Sequence, residues 1–396
     1  MTVFFSYAFR SLFLLATIYA IVVVPLWVSA WLGYLPFPVL LGGPRWWHAH
    51  EMIFGFAGAA IGGFGLTAVA TWTNRAPVSG APLLVLSFLW LLARVLLSLP
   101  SQSLLIPAIV ADLGYGGLLF ALMSREIIGA RNKRNYKVLL ILGLLVASHA
   151  VFFVGVMRGA GWSMNALNSG LWLVVLLINL IGGRIIPAFT RNWLKRRDAD
   201  QKHQPLKLPP TFDRFDLLSS ALLVGFAISQ LAEAPARWTA VLGLLTSVLL
   251  FIRLARWQGI QGGEEPLVWV LHVAFLWLPV GVLLLTVAEV GLLPRTSGIH
   301  ALTAGAITTM ILAVASRAAL GHTGRPLESH PLLTAAYVLI TIAAICRVAA
   351  TFGPAARVLL AASAAAWCLG FICFAWRYTP ILTQPSVQRH GSLPTV

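Results

Sequence analysis

The chain has 396 residues, of which 59% are hydrophobic and 10% are charged, and its mean hydropathy is +0.86. Soluble globular proteins carry about 25% charged residues, so this composition excludes a soluble domain. The net charge of +16 does not indicate a nucleic-acid partner, because the basic residues are spread along the chain and form no single patch.

Twelve apolar segments predict twelve transmembrane helices, because about 20 apolar residues cross a hydrocarbon core of roughly 30 Å. The first segment has no small-residue cleavage site, and we predict that it is retained. The predicted fold is an all-α polytopic membrane bundle, a single integral membrane domain over residues 1–396 with a basic cytoplasmic loop at about 191–214. The predicted helices span residues 12–33, 46–72, 82–99, 104–123, 137–157, 166–187, 215–233, 238–256, 267–289, 298–319, 331–350 and 355–376.

Lysines and arginines are distributed unequally between the two sides of these helices. With a cytoplasmic N-terminus, twenty of them fall in inner loops and tails and five in outer loops. Cationic loops tend to stay in the cytoplasm. The asymmetry therefore predicts a multi-pass protein of the bacterial inner membrane, surrounded by the lipid bilayer, with both termini cytoplasmic.

Four histidines are predicted to lie in the outer halves of their helices: His48, His50, His149 and His300. Ionisable side chains at membrane depth are costly and mark functional sites. Four at a similar depth indicate a shared cofactor, and a histidine hydrogen-bonded between helices is the alternative for each one. The remaining histidines lie near the inner ends of helices, at a loop edge or in aqueous segments: His272, His322, His330, His203 and His390.

The segment Trp46–Met52 contains two histidines, His48 and His50, at a spacing of two. Residues two apart point about 200° away from each other on a helix, so we predict that they serve different centres. His48 is expected to share a face with Glu51 and Met52, and this mixture of nitrogen, oxygen and thioether donors suits copper. The face of His50 carries aromatic and small residues, as a haem plane needs.

We predict that His50 and His300 are the axial ligands of a haem b, with His149 as the rival for either place. The chain contains no CxxCH motif, so axial ligands alone would hold a haem. Each of the two histidines is followed five residues later by a glycine, Gly55 or Gly305, which would let the haem face approach the backbone.

Three arginines near the outer level are candidate partners of haem propionates: Arg45, Arg94 and Arg347. A buried arginine needs an anionic partner. The alternative is that Arg94 pairs with Asp112 and that Arg45 reaches lipid headgroups. Asp112 and Glu51 are also the candidate catalytic residues, as groups that move protons within the membrane.

Three segments of the chain resemble the NnrS family: Trp47–Phe56, which reads WHAHEMIFGF, Asn179–Arg191 and Gly298–Ala306. The resemblance covers nearly the whole chain. It implies a polytopic bacterial inner-membrane protein that contains haem and copper, is produced in the response to nitric oxide and protects against nitrosative stress. It does not assign a histidine to either metal.

The leading hypothesis is a haem and copper protein that binds or reduces nitric oxide, with an unidentified electron donor; whether it is an enzyme stays open. A transporter of a small anion or metal ion is the second hypothesis, because Arg184 lies in a helix beside Gly182, Gly183 and Pro187. A haem-based sensor or assembly partner is the third.

The predicted helix count and the histidines on helices two and ten are also similar to the catalytic subunits of haem–copper oxidases. The spacing of His50, Gly55 and Arg75 in helix two recurs in helix ten as His300, Gly305 and Arg325, and together with that similarity it predicts three four-helix units. The chain lacks histidines on helices six and seven, where those subunits hold copper, so oxygen reduction is not predicted.

Overall fold

A computed structural model describes residues 3–35, 40–201 and 207–387, with only the backbone at 198–201. The described residues form helices and no strands, which confirms the predicted all-α class. The twelve long helices among them are α1 Ala8–Trp31, α2 Pro44–Thr73, α3 Ala81–Leu97, α4 Leu105–Gly129, α5 Tyr136–Arg158, α6 Ser163–Gln201, α7 Arg214–Leu231, α8 Ala236–Arg256, α9 Pro266–Glu289, α10 Arg295–His322, α11 Pro331–Ala349 and α12 Ala356–Thr383.

Within the described residues, eleven of these helices are long and apolar enough to cross a membrane. The twelfth, α3, has 17 residues, which corresponds to about 26 Å at 1.5 Å per residue. That length lies at the lower limit for a transmembrane helix of roughly 17 to 25 residues. The chain is therefore a multi-pass membrane protein, as its composition predicted.

The predicted loop at 191–214 is shorter in the structure, because α6 continues through Pro187 to Gln201. Proline is tolerated in membrane helices where neighbouring groups satisfy the freed backbone carbonyl.

The basic residues of the predicted loop also make contacts in the structure. Arg191 donates to the carbonyl of Pro209 at 2.8 Å, and Arg197 lies 4.8 Å from the ring centroid of Trp193. His203 and His390, expected in aqueous segments, lie outside the described residues.

The chain divides into two compact units, and the arrangement in three four-helix units stays a prediction. The first unit comprises Met1–Gly159, Val314–Ala336 and Phe371–Val396, and the second comprises Ala160–Ala313 and Tyr337–Gly370. In the first unit, α2 packs against α1 and α4, and α4 packs against α3 and α5. In the second unit, α9 packs against α6, α8 and α10.

Two helices contain a π-helical segment directly after a histidine. The segment Glu51–Phe56 follows His50 in α2, and Ala301–Ile307 follows His300 in α10. Such segments are rare and are frequent at functional sites. The spacing of five residues from histidine to glycine, which the two helices share in sequence, therefore coincides with a π segment in both.

A polar group is buried in the second unit where α6, α7 and α8 meet. Arg253 donates to Asp216 at 2.6 Å and to Asn179 at 2.7 Å. Asp216 also forms a capping box with Asp213 at the start of α7. Hydrogen bonding from Arg256 holds the pKa of Asp213 well below its usual range. Each of these charged groups therefore has a partner, and the capping box stabilises the start of α7.

Candidate metal centre

Three potential metal ligands from three helices meet in the first unit. The Nε2 atoms of His50 on α2 and His149 on α5 lie 2.8 Å apart. The Oδ2 atom of Asp112 on α4 lies 3.3 Å from each of them. His50 and Asp112 are fully buried, and His149 is 4% exposed. Together these side chains form a His–His–Asp centre whose donor atoms could hold one metal ion.

The carboxylate of Glu51 orients His50 through the ring nitrogen that faces away from the centre. Its Oε1 atom accepts a hydrogen bond from Nδ1 of His50 at 2.9 Å, which leaves Nε2 of His50 with its lone pair toward the centre. A carboxylate on the distal nitrogen of a ligating histidine fixes the ring and its tautomer. The sequence pattern groups Glu51 with His48 as a copper donor. The two carboxylate oxygens of Glu51 contact His50 and Arg94, and a role beside His48 stays a prediction.

Arg94 on α3 bridges the two buried carboxylates. Its Nη1 atom donates to Oε2 of Glu51 at 2.7 Å, and its Nη2 atom pairs with Oδ1 of Asp112. Arg94 is 2% exposed. The sequence indicated haem propionates or Asp112 as the partner of Arg94, and the structure shows the pairing with Asp112. The guanidinium is held by two carboxylates.

Gly55 makes room for this bridge. A Cβ atom there would clash with Nη1 of Arg94 and lie 3.2 Å from Oε2 of Glu51. Its carbonyl, inside the π segment, accepts a hydrogen bond from the indole of Trp90 at 2.9 Å. The space beside Gly55 therefore holds Arg94, where the sequence analysis expected a haem face.

Three phenylalanines surround the two imidazoles. The ring of Phe54 stacks on His149 with 3.9 Å between centroids and an angle of 6°. Phe152 stacks on His50 at 5.0 Å, and Phe153 lies about as near to both imidazoles. Phe152 and Phe153 are at most 1% exposed. The shell keeps the donors in an apolar setting, where an uncompensated charge is costly.

The geometry fits a single metal ion better than a haem. Two imidazoles on opposite faces of a haem need nitrogen atoms about 4 Å apart, since each metal–nitrogen bond is about 2 Å. The Nε2 atoms of His50 and His149 are closer than that, at 2.8 Å. Because Nε2 of His50 faces His149 and Asp112 within the first unit, its predicted pairing with His300 on a haem stays a prediction.

His48 faces a different environment from His50, as their spacing predicted. Its ring stacks on Trp27 with 4.1 Å between centroids, and it lies outside the His–His–Asp centre. Met52 is half-buried on the next turn. A copper site at His48 and Met52 stays a prediction.

The other predicted residues lie apart from the centre or in the second unit. His300 belongs to the second unit, and its Nδ1 atom donates to the carbonyl of Thr296 at 2.7 Å. Gly305 accommodates the ring of Trp277. Arg347 is half-buried in the second unit, and Arg45 is exposed at the start of α2.

The two inner histidines have local partners. His272 bonds to the hydroxyl of Thr190 at 2.8 Å in the second unit. His322 lies against the rings of Tyr7 and Phe9 in the first unit, with centroids about 6 Å apart. His272 is therefore hydrogen-bonded between helices, which is the alternative that the sequence left open, and His322 packs against aromatic rings.

Sequence reasoning missed one polar residue of the site and two of its aromatic residues. Tyr19 on α1 donates a hydrogen bond to Oε2 of Glu51, and no local motif marks it. Phe152 and Phe153 stand three and four residues after His149. That spacing places them on its face of α5 and could have identified them.

Comparison with known families identifies the chain. The family model described as NnrS protein matches residues 3–386. No curated protein matches the chain. The His–His–Asp centre and both π segments lie inside the matched region. Because the match covers almost the full length, the chain belongs to the NnrS family.

Proposed function

We propose that this protein binds nitric oxide at a metal ion held by the His–His–Asp centre, as part of the nitrosative-stress response of the bacterial inner membrane. Family membership supports the link to nitric oxide. The convergence of His50, His149 and Asp112 inside the first unit is the observation that carries the proposal.

The donor set suits a transition metal. Imidazole nitrogen binds zinc, copper, iron and nickel, and a carboxylate adds a harder oxygen donor. A bound iron or copper ion supplies open coordination positions for a neutral diatomic gas. Glu51 fixes the tautomer of His50, and Arg94 holds Oδ1 of Asp112 so that Oδ2 faces the two imidazoles.

The surroundings suit an apolar ligand. Nitric oxide partitions into lipid, and the phenylalanine shell of Phe54, Phe152 and Phe153 limits competition from water. Reduction of the gas requires electrons and protons, and the electron donor is unidentified. Glu51 and Asp112 stay the candidate proton carriers. Haem b and copper, which the resemblance implies, belong to this proposal as further cofactors.

A transporter of a small anion or metal ion is the competing function. A transporter would need a polar path through the membrane. The charged groups of the His–His–Asp centre and Arg253 are instead buried and paired with neighbouring side chains. Uptake of metal or anion by proteoliposomes, with no nitric oxide bound to the purified protein, would favour transport.

The proposal is tested on full-length protein purified in detergent, by metal analysis and by optical titration with nitric oxide. Wild type should retain about one metal ion at the centre and bind the gas. His149→Ala should lose both, and His330→Ala, which changes an exposed histidine at the start of α11, should match wild type. Unchanged nitric oxide binding and metal content in His149→Ala would contradict the proposal.

A further inference from the structure

The His–His–Asp centre has the composition of a specific class of metal site. It offers two imidazole nitrogens and one carboxylate oxygen, each from a different helix. Two histidines and one carboxylate with open positions are typical of non-haem ferrous sites. The three donors include no sulfur, which cuprous ions prefer.

We infer that the centre binds one non-haem ferrous ion, and that this ion is the place where nitric oxide binds. The inference rests on the proposed function and names its metal. It differs from the haem and copper that the family resemblance implies, because it assigns to His50, His149 and Asp112 an iron ion without a porphyrin.

The spacing of the donor atoms agrees with one six-coordinate ion. Their separations are 2.8 Å between the Nε2 atoms and 3.3 Å from each Nε2 to Oδ2 of Asp112. Donors at right angles on a metal with bonds of about 2.1 Å are roughly 3.0 Å apart. Three protein donors on one ion leave further positions for exogenous ligands.

The charges around the centre also favour a dication. Two carboxylates, Glu51 and Asp112, face a single guanidinium, that of Arg94, and all three are at most 2% exposed. With neutral imidazoles the group carries one net negative charge, which is costly at membrane depth. A divalent ion offsets this charge and leaves one positive charge, which an anionic ligand such as hydroxide can neutralise.

The surrounding contacts hold Asp112 as a ligand with one oxygen. Its Oδ1 atom is taken by Arg94, and its Oδ2 atom lies at equal distances from the two imidazoles. The Oδ2 atom makes no hydrogen bond of good geometry. A buried carboxylate oxygen aimed between two imidazole nitrogens is the arrangement that a metal ion satisfies.

The test uses the full chain, purified without oxygen, stripped with a chelator and then titrated separately with Fe²⁺, Cu⁺ and Zn²⁺. Metal content gives the stoichiometry, and electron paramagnetic resonance after addition of nitric oxide gives the type of iron. A non-haem ferrous nitrosyl shows a quartet signal, whereas a haem nitrosyl shows a doublet. We expect about one Fe²⁺ per chain and a quartet signal.

Asp112→Asn keeps the shape of the side chain and removes its charge, so it should weaken Fe²⁺ binding at least about tenfold. His149→Ala should abolish the quartet signal, and His330→Ala should leave both readouts unchanged. Melting curves of each variant establish that the protein is folded. If His149→Ala does not fold, His149→Gln, which keeps a polar side chain, replaces it.

Three results would overturn the inference. In the first, the protein retains one copper ion per chain and no iron, and Asp112→Asn loses the copper. In the second, the protein retains no ion, because the two imidazoles share a proton; in the third, neither Asp112→Asn nor His149→Ala changes iron binding. The first of these, with nitric oxide still bound, leaves the proposed function standing. Conversely, one bound Fe²⁺ with no nitrosyl signal supports the ferrous assignment and contradicts nitric oxide binding.

Discussion

The Nε2 atoms of His50 and His149 lie 2.8 Å apart, although 99 positions separate these residues in the chain. At this distance both nitrogens cannot carry a proton toward each other. Glu51 accepts from Nδ1 of His50, so the Nε2 atom of His50 is the acceptor and His149 is the donor when no metal is bound. For both Nε2 atoms to bind a metal ion, the proton of His149 must move from Nε2 to Nδ1, so both imidazoles bind in the neutral form. Protonation of either imidazole competes with the metal, and metal binding should therefore weaken as pH falls.

Replacing Arg94 should destabilise the protein strongly. Arg94→Gln leaves the buried carboxylates of Glu51 and Asp112 without their shared cation. Breaking a buried ion pair by removing one partner costs about 3–5 kcal/mol. Thermal unfolding in detergent, followed by intrinsic fluorescence, measures the loss.

The matched control for Arg94 is Arg295, whose side chain is 47% exposed and pairs with Glu289 at 3.2 Å. Surface pairs contribute about 0–1 kcal/mol, so Arg295→Gln should unfold near the wild-type temperature. Equal unfolding temperatures for Arg94→Gln and Arg295→Gln would show that the bridge has no role in stability.

A methyl group at Gly55 should disturb the centre. In Gly55→Ala the added Cβ clashes with the guanidinium of Arg94, so Arg94 must move away from Glu51. We expect a lower unfolding temperature and weaker metal retention. Gly117→Ala on α4 is the control, because a Cβ there meets nothing within 4 Å. Replacing a helical glycine by alanine at that position is neutral or stabilises by up to about 1 kcal/mol. An unfolding temperature of Gly55→Ala equal to or above that of wild type would contradict the close contact between Gly55 and Arg94.

The sequence predicted the depth of the site residues better than their partners. Apolar length and charge asymmetry placed four histidines in the outer halves of their helices, and the structure brings two of them, His50 and His149, together with Asp112. His48 and His300, the other two, lie outside this centre. Helical spacing did not identify the partners of Glu51, because its carboxylate contacts the adjacent His50 and also Arg94 from another helix.

Partners on distant helices leave no local trace in one sequence. Tyr19 reaches Glu51 from α1, and Arg94 fills the space beside Gly55 from α3. The glycine spacing that suggested a haem face instead reflects two packing requirements, since Trp277 occupies the corresponding space beside Gly305. Only the packing of the helices distinguishes these uses of glycine.

Both termini are predicted to face the cytoplasm, because the predicted inner loops and tails hold twenty basic residues and the outer loops hold five. Alkaline phosphatase fused to the C-terminus should be inactive, since that enzyme folds only in the periplasm. A fusion after Ala234, between α7 and α8, should be active. The reverse pattern of activities would contradict the topology.

His300 remains the candidate ligand for a haem in the second unit. Its Nδ1 atom donates to the carbonyl of Thr296 at 2.7 Å, so the lone pair of Nε2 is available to a metal, as in histidines oriented by a backbone carbonyl. The π segment Ala301–Ile307 begins at the next residue.

Replacing His300 should therefore remove or shift the visible absorbance of a bound haem, whereas replacing His50 should deplete non-haem metal and leave that absorbance in place. The reason is that both ring nitrogens of His50 have partners within the first unit, and His300 uses only Nδ1 for its backbone contact. Optical spectra of His300→Ala, His50→Ala and the exposed control His330→Ala, compared at equal protein concentration, measure both effects. A normal haem spectrum in His300→Ala would rule out His300 as the ligand, and loss of the haem in both His300→Ala and His50→Ala would restore the pairing that the sequence predicted.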